Sequence, residues 1–205
     1  ISIDIEEAFV TAEDVMRLAE ELMQFICRVV REKCREELKV LNHDFKVPEL
    51  PLKRLTYDEV LNELRELGIK LEWGEDIPTI GYRALGKVHP YFYFIIDWPT
   101  RLKPFYIKPK DDNPEISEGF DLMWSWIEIA SGGTRVHKKD LLIKRLKEQG
   151  LHPESFRYHL RSFDYGMPPH AGWAIGLERL IMMLTGIKNI REVVLFPRDR
   201  FRLTP

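Results

Sequence analysis

Asp121 and Glu128 lie in the run Phe120-Asp121-Leu122-Met123-Trp124-Ser125-Trp126-Ile127-Glu128-Ile129, seven positions apart. On one uninterrupted strand an odd separation sends the two side chains to opposite faces. If the chain reverses around Trp124-Ser125, they become directly opposed partners of an antiparallel hairpin, on one face. Two opposed carboxylates repel, so a cation belongs between them. Magnesium carrying nucleotide phosphates would suit, because it prefers hard oxygen ligands and commonly bridges protein to phosphate. Spacing alone favours a plainer reading, a solvated sheet face bearing two acids, since the turn lacks the usual Gly or Asn.

The next residues tip the balance. Ser131-Gly132-Gly133-Thr134-Arg135-Val136-His137 puts paired glycines after the acidic segment, where they would permit a sharp bend and close approach of a ligand to the backbone. Arg135 could then turn back toward the face of Glu128 and grip a carboxylate with both arms of its guanidinium; a surface salt bridge is the ordinary alternative. Further on, Pro168-Pro169-His170 leads into small residues at Ala171, Gly172, Ala174 and Gly176, which would clear space for a flat ligand. Arg179, three residues after Gly176, could neutralise phosphate charge, or else simply snorkel to water. His170 reads as a structural hydrogen-bonding residue and not a catalyst. The four side chains of Asp121, Glu128, Arg135 and Arg179 are expected to converge on one nucleotide-sized hollow.

One tempting match fails. Gly81-Tyr82-Arg83-Ala84-Leu85-Gly86-Lys87 spells the front of a phosphate-binding loop, but Val88 stands where the magnesium-binding hydroxyl is required and no strand runs into it.

These groups need a scaffold. The 205 residues, 44% hydrophobic, can bury one sizeable core, as a single domain or one with a small insertion. Lys and Arg total 31 against 33 Asp and Glu, so any nucleic-acid surface must be a local basic patch. No run is long enough to span a membrane, and the start is no signal peptide. Cys27 and Cys34 offer neither a disulfide framework nor a zinc site, which points to a reducing, cytoplasmic setting. A chain opening in mid-strand without an initiator Met suggests a piece of a longer polypeptide.

Alternation at Ile1, Ile3 and Ile5 predicts a half-buried strand. Thr11 with Asp14 starts a helix that the apolar spacing carries toward Leu41. Residues 44–55 read as a connection; the capping box Thr56-Tyr57-Asp58-Glu59 opens a helix stopping at Gly68; residues 69–90 read as an insertion or loop with short elements. Strands are expected at Tyr91 to Ile96, Phe105-Tyr106-Ile107, within Gly119 to Ala130, and at Val193 to Phe196. Helices are expected from Lys138 to Glu148, after Pro153, and from about Ala174 to Thr185. The sum is α+β, a mainly antiparallel sheet flanked by helices.

The three chemical elements, in this order, resemble class II aminoacyl-tRNA synthetases. Gly176-Leu177-Glu178-Arg179 matches the core of that family's motif 3, and Asn189-Ile190-Arg191-Glu192 with Phe196-Pro197-Arg198 looks like its aspartyl/asparaginyl subgroup. Ser131-Gly132-Gly133, Arg135-Val136-His137, Asn113-Pro114-Glu115 and the closing Arg202-Leu203-Thr204-Pro205 are closest to aspartyl-tRNA synthetases of archaeal type. Ser2-Ile3-Asp4-Ile5-Glu6 resembles the second strand of motif 2. Motif 1, the first half of motif 2 and the anticodon-binding domain are absent, and the likeness is weakest over residues 44–90. Trp124 and Trp126 sit where smaller or polar residues are usual.

The resemblance implies the class II catalytic fold and an aspartate–tRNA ligase that uses ATP and Mg2+, commonly as a homodimer. Glu128 and Ser131 would hold magnesium, Glu128 also meeting ATP, with Asp121 at a further metal. Ser131 and Arg135 would contact L-aspartate, and Asp4 its ammonium. Gly176, Leu177, Glu178 and Arg179 would line the ATP site, Arg179 at the γ-phosphate. The RNA would be tRNA for aspartate, with tRNA for asparagine left open. Rival readings are an asparaginyl-tRNA synthetase, a synthetase-like enzyme that activates aspartate without tRNA, and a non-catalytic RNA- or protein-binding paralogue.

Overall fold

The alternating N-terminal residues form strand β1 (Ser2–Ala8) in the computed structural model, which describes residues 1–204. Pro205, the last residue of the closing Arg202-Leu203-Thr204-Pro205, lies outside the described residues. β1 occupies a sheet edge, so its isoleucines do not make the half-buried stripe expected of them: Ile1 is 83% exposed, Ile3 38%, and Ile5 alone reaches the core.

The other strands are β2 (Lys53–Thr56), β3 (Phe92–Ile96), β4 (Gly119–Trp124), β5 (Ile127–Thr134) and β6 (His170–Gly176). They make one six-stranded sheet in the order β1-β6-β5-β4-β3-β2. Every neighbouring pair is antiparallel except β2 with β3. The α+β expectation therefore holds.

Helix α1 (Ala12–Lys33) starts where Thr11 donates through its main-chain N and its Oγ1 to the Asp14 carboxylate, at 2.9 and 2.8 Å. It does not run unbroken to Leu41: Cys34 leaves helical geometry, and a separate helix α2 (Arg35–Val40) follows. Val15, Met16, Ala19, Met23 and Cys27, at helical spacing, pack against Phe94, Leu122, Ile129 and Trp173 on one sheet face. Helix α7 (Leu177–Thr185) completes that cover with Leu180, Met182 and Met183. Both cysteines are free, and burial pushes the Cys27 thiol up to about 12.

Over β2 and β3 the opposite face is covered by α3 (Tyr57–Glu66) and α4 (Thr79–Val88), with Leu61, Leu64 and Leu85 against Tyr93, Ile95 and Met123. The Thr56–Glu59 capping box forms, and Gly68 takes a positive φ of 82° just past the helix end. The connection at 44–55 thus ends in a strand, and the region 69–90 contains a helix. Gly81 through Lys87 lie on α4, where no phosphate-binding loop can form.

Phe105-Tyr106-Ile107 makes one isolated bridge, Ile107 to Arg135, instead of a strand. Helix α5 (Lys139–Glu148) and helix α6 (Arg157–Ser162), the latter between 3-10 turns at Pro153–Phe156 and Phe163–Tyr165, share a small core of Val136, Leu142, Leu146 and Leu160. Val193 to Phe196 forms no strand; a 3-10 turn at Ile190–Val193 precedes it. The largest revision is β6. The helix expected from about Ala174 is preceded by a strand: Ala171, Trp173 and Ile175 enter the core, while Gly172, covered by Glu6, and the exposed Ala174 lie on the opposite face, the period of a strand. The helix begins only at Leu177.

Candidate active site

Sheet register builds the site. Asp4 lies opposite Ala174, Ala174 opposite Ser131, and Ser131 opposite Asp121, so four strands present one continuous row. Glu6, Gly172, Gly133 and Gly119 form the adjacent row on the same face. This face lies opposite the one that α1 and α7 cover.

The β4–β5 hairpin forms, but Asp121 pairs with Ser131 and not with Glu128, which stands opposite Met123. The register shifts between Leu122 and Met123, leaving Ile129 as an extra residue on β5. In a regular strand Glu128 and Ser131, three residues apart, would face opposite ways; the bulge puts both on the face of Asp121. The turn needs no Gly or Asn because Ser125 itself adopts φ 54°. Its carbonyl accepts from Tyr93 Oη at 3.1 Å and its hydroxyl donates to Gly86 O at 3.2 Å, tying the turn to β3 and α4. Trp126 packs under the Arg83 guanidinium, 5.3 Å from ring centre, and Trp124 packs against the main core, which accounts for both tryptophans.

Both acids meet cations supplied by the chain. Lys103 Nζ donates to Asp121 Oδ1 and Oδ2 at 2.7 and 2.6 Å, with both side chains buried. The same ammonium lies 4.5 Å from the Trp98 ring centre. Arg179 Nη1 donates to the Glu128 carbonyl at 2.9 Å and to its Oε1 at 3.1 Å. Burial and the nearby Asp121 push the Glu128 carboxyl above its ordinary range, against the pull of Arg179 and Lys103.

Arg135 does return to this face, although its guanidinium is held by Glu6. Nη2 donates to Oε1 at 2.6 Å and Nε to Oε1 and Oε2 at 3.1 and 3.2 Å, while Tyr106 lies against the guanidinium plane at 5.4 Å. Gly132 and Gly133 make no bend, being inside β5. A Cβ on Gly132 would come within 2.6 Å of Phe120 and 2.7 Å of Trp173, so that glycine makes room for the core and not for a ligand.

The small residues of β6 divide likewise. Ala171 is buried, and the space over Gly172 is filled by the Glu6 carboxylate, 2.5 Å from an added Cβ. Over Gly176 such an atom would sit in ordinary contact with the Arg179 side chain, 3.6 Å from Cδ, so there a methyl group would be tolerated. Gly176, Leu177 and Glu178 make the turn from β6 into α7, and Leu177 N donates to Ile1 O at 3.0 Å. Asp4 Oδ1 accepts from Ser2 Oγ at 2.6 Å, and His170 Nδ1 bonds Pro168 O at 2.9 Å, the structural role expected of it.

Two hollows open here, not one. A cavity of about 550 Å³ collects Asp4, Glu6, Arg135, His170 and Ala174 under an aromatic wall of Phe105, Tyr106, Phe156 and Phe163. A smaller one, about 220 Å³, holds Glu128 and Arg179 with Thr79, Tyr82 and Trp126. Asp121 lines neither and sits under Lys103. Lys103, Glu6 and Tyr82 escaped sequence reasoning. Glu6 was legible, being two residues from Asp4 on a strand; Lys103 and Tyr82 reach the site only through tertiary packing.

The chain belongs to the class II tRNA synthetases of the D, K and N group, whose family description matches residues 1–200. Among individual relatives, the "Aspartate--tRNA(Asp/Asn) ligase" of Methanothermobacter thermautotrophicus is 52% identical over 205 residues, covering all of this chain and 47% of that protein. An aspartyl tRNA synthetase from Entamoeba histolytica superimposes with TM-score 0.92 at 35% identity, covering all of this chain and 44% of that one. Asparaginyl-tRNA synthetase from Pyrococcus horikoshii complexed with asparaginyl-adenylate gives TM-score 0.94 at 30% identity, covering all of this chain and 48% of that one. The chain thus spans about half the length of the relatives it matches.

Proposed function

We propose that the complete protein is an aspartate–tRNA ligase: ATP activates L-aspartate to aspartyl-adenylate, and the aspartyl group passes to the 3′ end of tRNA. The carrying observation is the row Asp4–Ala174–Ser131–Asp121, with the Arg135 guanidinium near one end and the Glu128–Arg179 pair near the other. Asp4 attracts the substrate ammonium, and Arg135 offers the edge of its fork not used by Glu6 to the substrate's side-chain carboxylate. Ser131, between Ala174 and Asp121 in the row, would contact both the substrate and the magnesium ion.

Gly176, Leu177 and Glu178, at the strand-to-helix turn beside the Glu128–Arg179 pair, would line the ATP site, with Arg179 at the terminal phosphate. The residues fit magnesium. Among the described residues no group of three or more His, Cys, Asp or Glu forms a metal cage, and magnesium takes one or two carboxylates plus substrate phosphates. Glu128 and Ser131 would hold it, and Asp121, buried with both oxygens on Lys103, would reach a further ion only by giving up that ammonium. The ion would supply charge neutralisation at the phosphates as the α-carboxylate of aspartate displaces pyrophosphate. No protein nucleophile enters; positioning and preorganised charge do the work.

A cytoplasmic homodimer acting on tRNA for aspartate fits this reading, and tRNA for asparagine enters as a second acceptor to be tested. No helix among the described residues is long and apolar enough to cross a membrane. The test is ATP–pyrophosphate exchange by the complete protein: aspartate should support it with magnesium present and asparagine should not. Exchange driven by asparagine alone would replace this reading with the asparaginyl one.

A further inference from the structure

Between Arg135 and Tyr165 the chain carries eight Lys and Arg against four Asp and Glu, in a molecule whose formal net charge is -2; Arg135, Lys139, Lys144 and Arg145 stand in ion pairs, while Arg157 and Arg161 have no carboxylate partner among the described residues. Much of this basic segment is α5 and α6, which rise beside the larger cavity. Phe156, His159 and Phe163 turn inward and line that cavity. Tyr158, Arg161 and Tyr165, spaced three and four apart, fall on the other side of the same turns. Both tyrosines are almost wholly open, 74% and 77% exposed. Arg157 stacks over the Tyr158 ring at 4.7 Å and donates to its hydroxyl at 3.2 Å; Arg161 Nε donates to Tyr165 Oη at 3.3 Å. These arginines spend donors on phenol oxygens and not on carboxylates, so their charge stays available.

Exposed tyrosine rings, Tyr158 with Arg157 stacked on one side, beside guanidiniums that no carboxylate neutralises suit one occupant well. Unpaired bases stack on the rings while phosphates meet the arginines, and the combination tolerates many sequences. A duplex keeps its base faces stacked inside, and an apolar protein surface would leave the guanidiniums without anions. The aromatic-walled cavity beside this rim exceeds what an amino acid needs, leaving room for a terminal nucleoside against Phe105 and Phe156, which pack edge to face at 5.2 Å.

We propose that the exposed face of α6 and its following turn is a stacking platform for the unpaired 3′ end of an RNA, Tyr158 and Tyr165 taking the bases that precede the nucleoside entering the cavity. This rests on the ligase reading for the identity of the RNA, not for the existence of the surface. The test uses the complete protein, tRNA for aspartate, and the same tRNA trimmed of its unpaired 3′ nucleotides, with binding followed by fluorescence anisotropy. The double variant Tyr158→Ala/Tyr165→Ala should weaken binding of intact tRNA about tenfold or more, while Tyr158→Phe/Tyr165→Phe, which keeps the rings, should restore it. Trimmed tRNA should bind wild type and both variants equally, and aspartate-dependent pyrophosphate exchange should be unchanged. Wild-type affinity of the alanine variant for intact tRNA overturns the proposal, as does an equal loss on trimmed tRNA. Should wild type fail the exchange assay, the ligase reading falls while the anisotropy comparison still decides the platform.

Discussion

Lys103 illustrates how a buried charge constrains its neighbours. It and Asp121 keep 9% and 5% of their side-chain surface, so neither can be removed singly without stranding the other. Lys103→Met should destabilise the protein by about 3–5 kcal/mol in urea denaturation, and adding Asp121→Leu should recover much of the loss. If the single and double variants are equally unstable, the pair is not the source. Glu128 behaves oppositely. Its carboxyl is raised, so its contribution to folding is full below the ordinary carboxylate range and is lost as pH rises through the raised value. Glu128→Gln should therefore abolish exchange yet raise thermal stability at neutral pH, with the gain fading in acid; because the side chain is 40% exposed, the gain should be small. A variant less stable than wild type at neutral pH would contradict the sign. Arg135→Ala should raise the KM for aspartate by roughly 100-fold or more and leave that for ATP nearly unchanged, since a carboxylate would lose its charged partner. Unaltered aspartate dependence in the exchange assay would remove Arg135 from substrate binding.

At the scale of elements, the nucleotide end of the site depends on contact between a helix and a turn. α4 approaches the Ser125-Trp126 turn so closely that a Cβ on Gly86 would lie 2.7 Å from both Ser125 Oγ and Trp126 N. Backbone cannot yield as a side-chain tip does, so Gly86→Ala should cost about 1–3 kcal/mol. It should also weaken ATP binding more than aspartate binding, because the turn leads into Glu128. Calorimetric titration of both ligands checks this, and equal losses would argue for general loosening. The bulge at Ile129 works at the same scale. It corrects the parity of β5 so that Glu128 and Ser131 share a face, which no count along the sequence anticipates.

Across the whole molecule, one sheet face is sealed by α1 and α7 while the opposite face divides between cover and site. Apolar groups nevertheless remain exposed: Ile1 and Phe9 at the ends of edge strand β1, and Leu195, Phe196, Phe201 and Leu203 in the last stretch. An edge strand and exposed apolar side chains invite association. The 205-residue chain taken alone should self-associate with rising concentration in sedimentation, and a strictly monomeric chain at high concentration would refute this.

Local chemistry was legible without coordinates wherever a residue's partner lay nearby in the chain. The Thr11–Asp14 and Thr56–Glu59 caps and the glycine at position 68 could be read from spacing and residue type, whereas spacing wrongly opposed Asp121 to Glu128 and gave Gly132 and Gly133 a bend that they do not make. The face of β6 could have been read as well, since Ala171, Trp173 and Ile175 alternate, but its small residues and prolines suggested a helix start. What only tertiary structure decided was which charge meets which. Lys103 reaches Asp121 across 18 positions, Glu6 reaches Arg135 across 129, and Arg179 reaches Glu128 across 51. Those pairings follow from strand order and from a one-residue register shift. Both are settled by packing the two sheet faces at once, because local propensity says nothing about which strands become neighbours.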